Sequence, residues 1–148
     1  MARFDFDRLA AWLSGLWAGV LLGIGAIAAP AGFAAAPREI AGSIAGRMFA
    51  QEAYLSLAMA VVMYLLLRRT ARAKAAAGTG SVLSTDVLLV LGTLFCTVAG
   101  YFAVQPMMAA ARLGQGAMSF GALHGFSAGL FALKGLLVLV LAWRLAAR

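Results

Sequence analysis

Four apolar runs, each long enough to cross a bilayer and most of them closed by basic residues, constrain the fold of this chain more than any other feature. They cover about residues 9–29, 50–67, 85–104 and 119–143. A hydrocarbon core about 30 Å thick takes about 20 residues of helix to span. Without water inside it, every backbone amide must be satisfied within its own segment. Each run therefore reads as a helix. Of 148 residues, 64% are hydrophobic and 11% charged, too little polar surface to coat a soluble globule. The expected fold class is all-α: an integral membrane four-helix bundle forming a single domain over residues 1–148.

The boundaries follow from local chemistry. The first run ends at Pro30 and is followed by small residues and Pro37. A cleaved leader is the competing reading there, since Ala26, Ile27 and Ala28 resemble a cleavage site, but Asp5 and Asp7 spoil a positive leading segment. From Arg38 to Ala50 the chain is amphipathic, with Ile40, Ile44 and Phe49 set among Arg38, Glu39, Ser43 and Arg47. A short helix lying along the interface before the second crossing is expected. Arg68 and Arg69 stop that crossing, and residues 70–84 read as a frayed helix end and a flexible loop. Ser84, Thr85 and Asp86 offer N-cap chemistry to the third crossing, which is expected to end near Val104, just before Pro106.

Charge sets the expected orientation. An even number of crossings places Arg3, Arg8, Arg68, Arg69, Arg72, Lys74, Arg144 and Arg148 on one side, against Arg38, Arg47 and Arg112 on the other. The richer side faces the cytoplasm, with both termini, in a bacterial inner membrane. The net charge of +7 thus reads as topology, not as nucleic-acid binding, because the basic residues sit at the ends of apolar runs. Glycines recurring every four residues clear faces for close helix approach: Gly15, Gly19 and Gly23; Gly92 and Gly100 flanking Cys96; Gly121, Gly125 and Gly129. Contacts within the bundle, in a homo-oligomer, or in a larger membrane complex are all compatible with these stripes.

At about 100° per residue, Phe120, His124, Ser127, Phe131 and Lys134 share one side of the last helix, the one polar stripe inside a crossing. His124 lies near the outer end, where Glu52 and Arg112 are expected at similar depth. Glu52 could then hold His124 as imidazolium; the plainer alternative is an interfacial histidine hydrogen-bonded to a neighbouring helix. Ser127 fits helix packing. Lys134 lies about 15 Å from His124 along the axis. It either snorkels to the cytoplasmic headgroups and meets Asp86, or lines a water-filled cavity that receives anions.

Met107, Met108, Met118 and His124 have the softness for Cu(I) but no repeated ligand spacing, so no metal is assigned. A single histidine excludes bis-histidine haem within one chain, and no cofactor is implied. Cys96 has no second cysteine to pair with. No phosphate loop, paired catalytic carboxylates or Ser-His-Asp set is present, so an enzyme is not expected.

The order of features, an Ala-Gly-x-x-Ala-Gly-Arg-x-Phe stretch from Ala41 to Phe49, then Pro106 and Arg112, then Phe120, His124, Gly125 and Ser127, resembles the small bacterial membrane proteins grouped as domain of unknown function 4149. These look related to eukaryotic transmembrane protein 205. The resemblance implies a four-helix inner-membrane protein of unassigned activity, with Arg47, Phe49, Pro106, Arg112, Phe120, His124 and Ser127 as motif positions. The eukaryotic relatives' association with resistance to platinum drugs implies export or trafficking of small or metal-containing solutes. Where those relatives carry an asparagine late in the last helix, this chain has Phe131 and Lys134, a departure that weakens transfer of a polar path.

Two functions are therefore weighed. One is handling of a small solute or ion along the stripe from His124 to Lys134, with an open groove beside both residues. The other is an accessory or scaffolding subunit without its own substrate, docking by its glycine faces.

Overall fold

The computed structural model describes residues 5–148. Its helices are α1 (Phe6–Ala35), α2 (Arg38–Ala76), α3 (Thr85–Arg112) and α4 (Phe120–Ala146), all long and apolar enough to cross a membrane. No strand occurs among the described residues. The chain is a multi-pass membrane protein built as a helical bundle. Arg3, counted above among the basic residues, lies outside the described residues.

Three of the four helices start where a side chain can receive orphan amides, whereas α2 starts at Pro37 without one. Asp5 accepts from the backbone N–H of Asp7 and Arg8 at 3.1 Å each, Ser84 from Val87 at 3.4 Å, and Ser119 from Ala122 at 3.2 Å. Two helices end on a glycine in the left-handed region, Gly78 (φ 71°) and Gly114 (φ 70°). Behind them Thr79 N–H bonds Lys74 C=O and Gln115 N–H bonds Ala110 C=O, each at 3.0 Å, which closes the last turn.

Three boundaries differ from expectation. Pro30 and Pro106 do not end α1 and α3. In each case a π-helical segment, Gly23–Ala28 or Val98–Ala103, precedes the proline and contains the carbonyl four residues before it. A proline ring clashes with that carbonyl and donates no hydrogen bond; widening the turn accommodates both defects, and the helix passes through. The amphipathic stretch from Arg38 is helical, but it is continuous with the second crossing instead of lying apart along the interface. Pro37 at its N-cap is the last breaker before Ala77. Its inward face is the small pair Ala41 and Ala45, packed toward the end of α1, while Ile40 and Ile44 point outward. The isoleucines face lipid; the alanines allow close contact.

The helices form a ring in which α1 and α3 each pack against both α2 and α4. Helices α2 and α4 thus face each other across the diagonal. One end of the bundle gathers the start of α1, the end of α2, the start of α3 and the end of α4: Thr70 donates to Asp7 at 3.3 Å, and Arg144 to Asp86 at 2.8 Å. Large apolar side chains such as Trp12, Leu16, Ile27, Phe95, Phe126 and Trp143 cover the outside, whereas Ser14, Glu52, Ser56, Thr93, Thr97 and Lys134 are buried. This is the polarity a bilayer demands. The hydroxyls of Ser14, Thr93 and Thr97 bond backbone carbonyls of the preceding turn at 2.7–2.9 Å, so they cost little inside.

The glycine stripes divide. A Cβ on Gly92 would stand 3.0 Å from Leu137 Cδ1, and one on Gly100 would stand 3.0 Å from Leu130 Cβ; these two do bring α3 onto α4. Around Gly15, Gly19, Gly23, Gly121, Gly125 and Gly129 nothing lies within 4 Å of such a Cβ. Those stripes do not pack the bundle. Gly25, outside the expected triplets, is the tightest approach: its Cβ would meet Phe131 Cε1 at 2.7 Å.

Candidate functional site: a charge pair across the bundle

The inward face of α2 runs through Glu52, Ser56, Ala60, Met63 and Leu67, and that of α4 through Lys134, Val138, Leu141 and Leu145, at three- and four-residue spacing. Glu52 and Lys134 each lie about 21 Å from the start of their helices at 1.5 Å per residue. Both helices start at the same end, so the two charges meet at one depth. Lys134 Nζ donates to Glu52 Oε1 at 2.7 Å and Oε2 at 2.9 Å. Both side chains are 3% exposed.

The pair is held from several sides. Ser56, one turn along α2, donates its hydroxyl to Glu52 Oε1, and Trp17 of α1 donates Nε1–H to Ser56 Oγ at 2.9 Å. The Phe131 ring centroid lies 5.0 Å from Lys134 Nζ, and Phe49 packs edge-on against that ring at 5.1 Å. Gly25 leaves the space Phe131 fills. Donors thus converge on the Glu52 carboxylate of α2 from two sides, Trp17 of α1 through Ser56 and Lys134 directly from α4, and that carboxylate neutralises the lysine. Among the described residues no buried side-chain nitrogen or oxygen lacks a partner.

The expected site residues are therefore separated. Lys134 neither snorkels to Asp86 nor lines an open cavity, because Glu52 takes its charge within the bundle. Asp86 instead receives Arg144 Nε at 2.8 Å and Arg148 Nη2, at the end where the termini of α3 and α4 meet. Glu52 does not hold His124. His124 is exposed and stacks on Phe120, ring centroids 5.9 Å apart, while Arg112 lies 4.7 Å over the same Phe120 ring. Arg112 and His124 do meet, at the end of the bundle opposite Asp86, through an aromatic ring and without a carboxylate. Ser127 donates to Gly100 C=O at 2.6 Å, a bond from α4 into the π-helical segment of α3. Arg47 is exposed; Phe49 backs the ion pair. Of the methionines weighed for copper, Met108 is buried while Met107 and Met118 face outward.

Sequence reasoning misplaced Glu52 because it started the second crossing at residue 50. Counting depth from Arg38 aligns Glu52 with Lys134. Trp17 and Ser56 carried no sequence signal of their own; a tryptophan and a serine in apolar runs are ordinary.

A profile of the family described as Domain of unknown function (DUF4149) matches residues 12–117. The match takes in Trp17, Glu52 and Ser56 and stops before Lys134. No curated protein and no solved structure matches the chain.

Proposed function

The chain belongs to the DUF4149 family, and from its own residues we propose that it is a non-enzymatic protein of the bacterial inner membrane that handles a small ion or solute at the Glu52–Lys134 pair. The end of the bundle carrying Arg8, Arg68, Arg69, Arg72, Lys74, Arg144 and Arg148 faces the cytoplasm, by the excess of basic side chains there. One observation carries the functional reading. Two opposite charges are spent on each other across the diagonal of the bundle, where two well-packed apolar side chains would be as stable or more so. Ionisable groups inside a membrane mark ion and proton paths more often than scaffolding. A proton or cation arriving at Glu52, or an anion at Lys134, would replace one partner and free the other. With both charges covered, the conformation described here is the closed one. A homo-oligomer with Gly121, Gly125 and Gly129 at its seam would join protomers on the face of α4 turned away from Lys134, leaving the pair inside each bundle.

Purified protein in vesicles loaded with a proton-, potassium- or chloride-sensitive dye, each challenged with a gradient of its own ion, tests this. Flux of one ion in wild type that falls to the empty-vesicle level in Glu52→Gln is expected. Identical traces for wild type, Glu52→Gln and Lys134→Met under all three gradients would overturn it.

The open glycine stripes of α1 and α4 favour a second reading, an accessory or scaffolding subunit docked by those faces with the ion pair serving only to fix the bundle. In that case Gly125→Leu abolishes co-purification of a partner, and removing both charges together does not.

A further inference from the structure

At the basic end of the bundle, a cleft of about 230 Å³ opens between the last turns of α2, the 77–84 loop, the start of α3 and the end of α4. Its charged lining is Lys74, Arg144, Arg148 and Asp86. Asp86 is 5% exposed and accepts from both guanidiniums, Arg144 through Nε and Arg148 through Nη2, so its two oxygens are occupied. Each arginine keeps further N–H donors, and the Lys74 ammonium has no acidic partner among the described residues. The neutral lining adds to this surplus. Ser81 and Ser84 use their oxygens to accept from Leu83 N–H at 3.2 Å and Val87 N–H at 3.4 Å, which leaves both hydroxyl protons to donate.

The cleft is thus rich in donors, with a net positive charge and its one carboxylate already satisfied. What matches it is a compact anion with many acceptor oxygens. The cleft has room for a tetrahedral oxyanion. Depth narrows the chemistry further. Trp143 (78% exposed), next to Arg144, and Trp12 (71% exposed), near the start of α1, present their rings outward at this end, the level at which tryptophans meet lipid headgroups. Guanidinium and ammonium groups recognise phosphate there.

We propose that this cleft is a binding site for a phosphate group, borne by an anionic phospholipid headgroup or by a soluble phosphate. Asp86 orients the two arginines, Lys74 adds the unpaired charge, and the serine hydroxyls complete the donor set. The site is independent of the Glu52–Lys134 pair, which lies deeper in the bundle.

The full chain in mild non-ionic detergent, offered equal phosphatidylglycerol and phosphatidylcholine, is examined by native mass spectrometry, with thermal unfolding in sodium phosphate against sodium chloride at matched ionic strength. The variants are Lys74→Gln, whose side chain holds nothing in the bundle, and Lys74→Gln with Arg148→Gln. Retention of phosphatidylglycerol at least about fivefold over phosphatidylcholine, falling to parity in the double variant and partway in Lys74→Gln, establishes the lipid source. Equal lipid retention with a phosphate-specific rise in unfolding temperature that both variants reduce establishes the soluble source. Equal retention with no phosphate-specific rise overturns the proposal. So does any preference that Lys74→Gln leaves at the wild-type level.

Discussion

Two carboxylates each meet basic side chains in this molecule, and the comparison separates position from chemistry. Glu52 and Lys134 are both 3% exposed and reach each other across the bundle; Asp86 is buried, but its partners Arg144 and Arg148 are 41% and 34% exposed at its end. At the end, water and headgroups can solvate either arginine if Asp86 is lost, and salt screens the attraction. In the middle nothing replaces a missing partner. The same kind of contact is thus indispensable in one place and adjustable in the other.

The strongest way to sharpen that contrast is to remove one inner charge. Glu52→Gln or Lys134→Met alone is expected to destabilise the protein by about 3–5 kcal/mol, because a bare buried charge or its unmatched partner remains. Thermal unfolding in detergent reads this. Glu52→Leu combined with Lys134→Met should recover most of the loss or exceed wild type. A double variant no more stable than either single one would break the comparison. Next comes the aromatic cover: Gly25→Ala brings a Cβ to 2.7 Å from Phe131, and about 1–3 kcal/mol of overpacking is expected by the same measurement.

Ser56→Ala leaves Trp17 Nε1–H without its acceptor and takes one donor from Glu52, a loss of about 1–3 kcal/mol. A change in Trp17 fluorescence should accompany it. The smallest effect belongs to the network around Asp86 at the basic end of the bundle. Asp86→Asn is expected to cost about 1 kcal/mol or less, and the difference from wild type should shrink further when unfolding is followed in high salt. A larger, salt-independent loss would show that the two networks are equivalent after all.

Four runs of sufficient length, the Ser84 cap, and the basic residues after the second and fourth crossings announced the helices and their number, because a bilayer tolerates few alternatives for an apolar chain. Pro30 and Pro106 misled: the rule that proline stops a helix is local, and a widened π turn before each one satisfies it without a stop. Lys134 announced itself as a buried charge. Its partner did not, since Glu52 becomes coplanar with it only when α2 is known to run unbroken from Arg38. The glycine stripes were equally visible on three helices, yet only the one on α3 meets a neighbour within the bundle.

By itself the sequence determined that this protein lives in lipid, crosses it on helices, and must neutralise a lysine within it. Only the tertiary structure decided which carboxylate does so, which glycines are contacts, and which arginines Asp86 gathers. Hydrophobicity and helical period act along one segment and are written into it, whereas the pairing of two side chains depends on the depth and rotation of separate helices, which are set only when the four pack together.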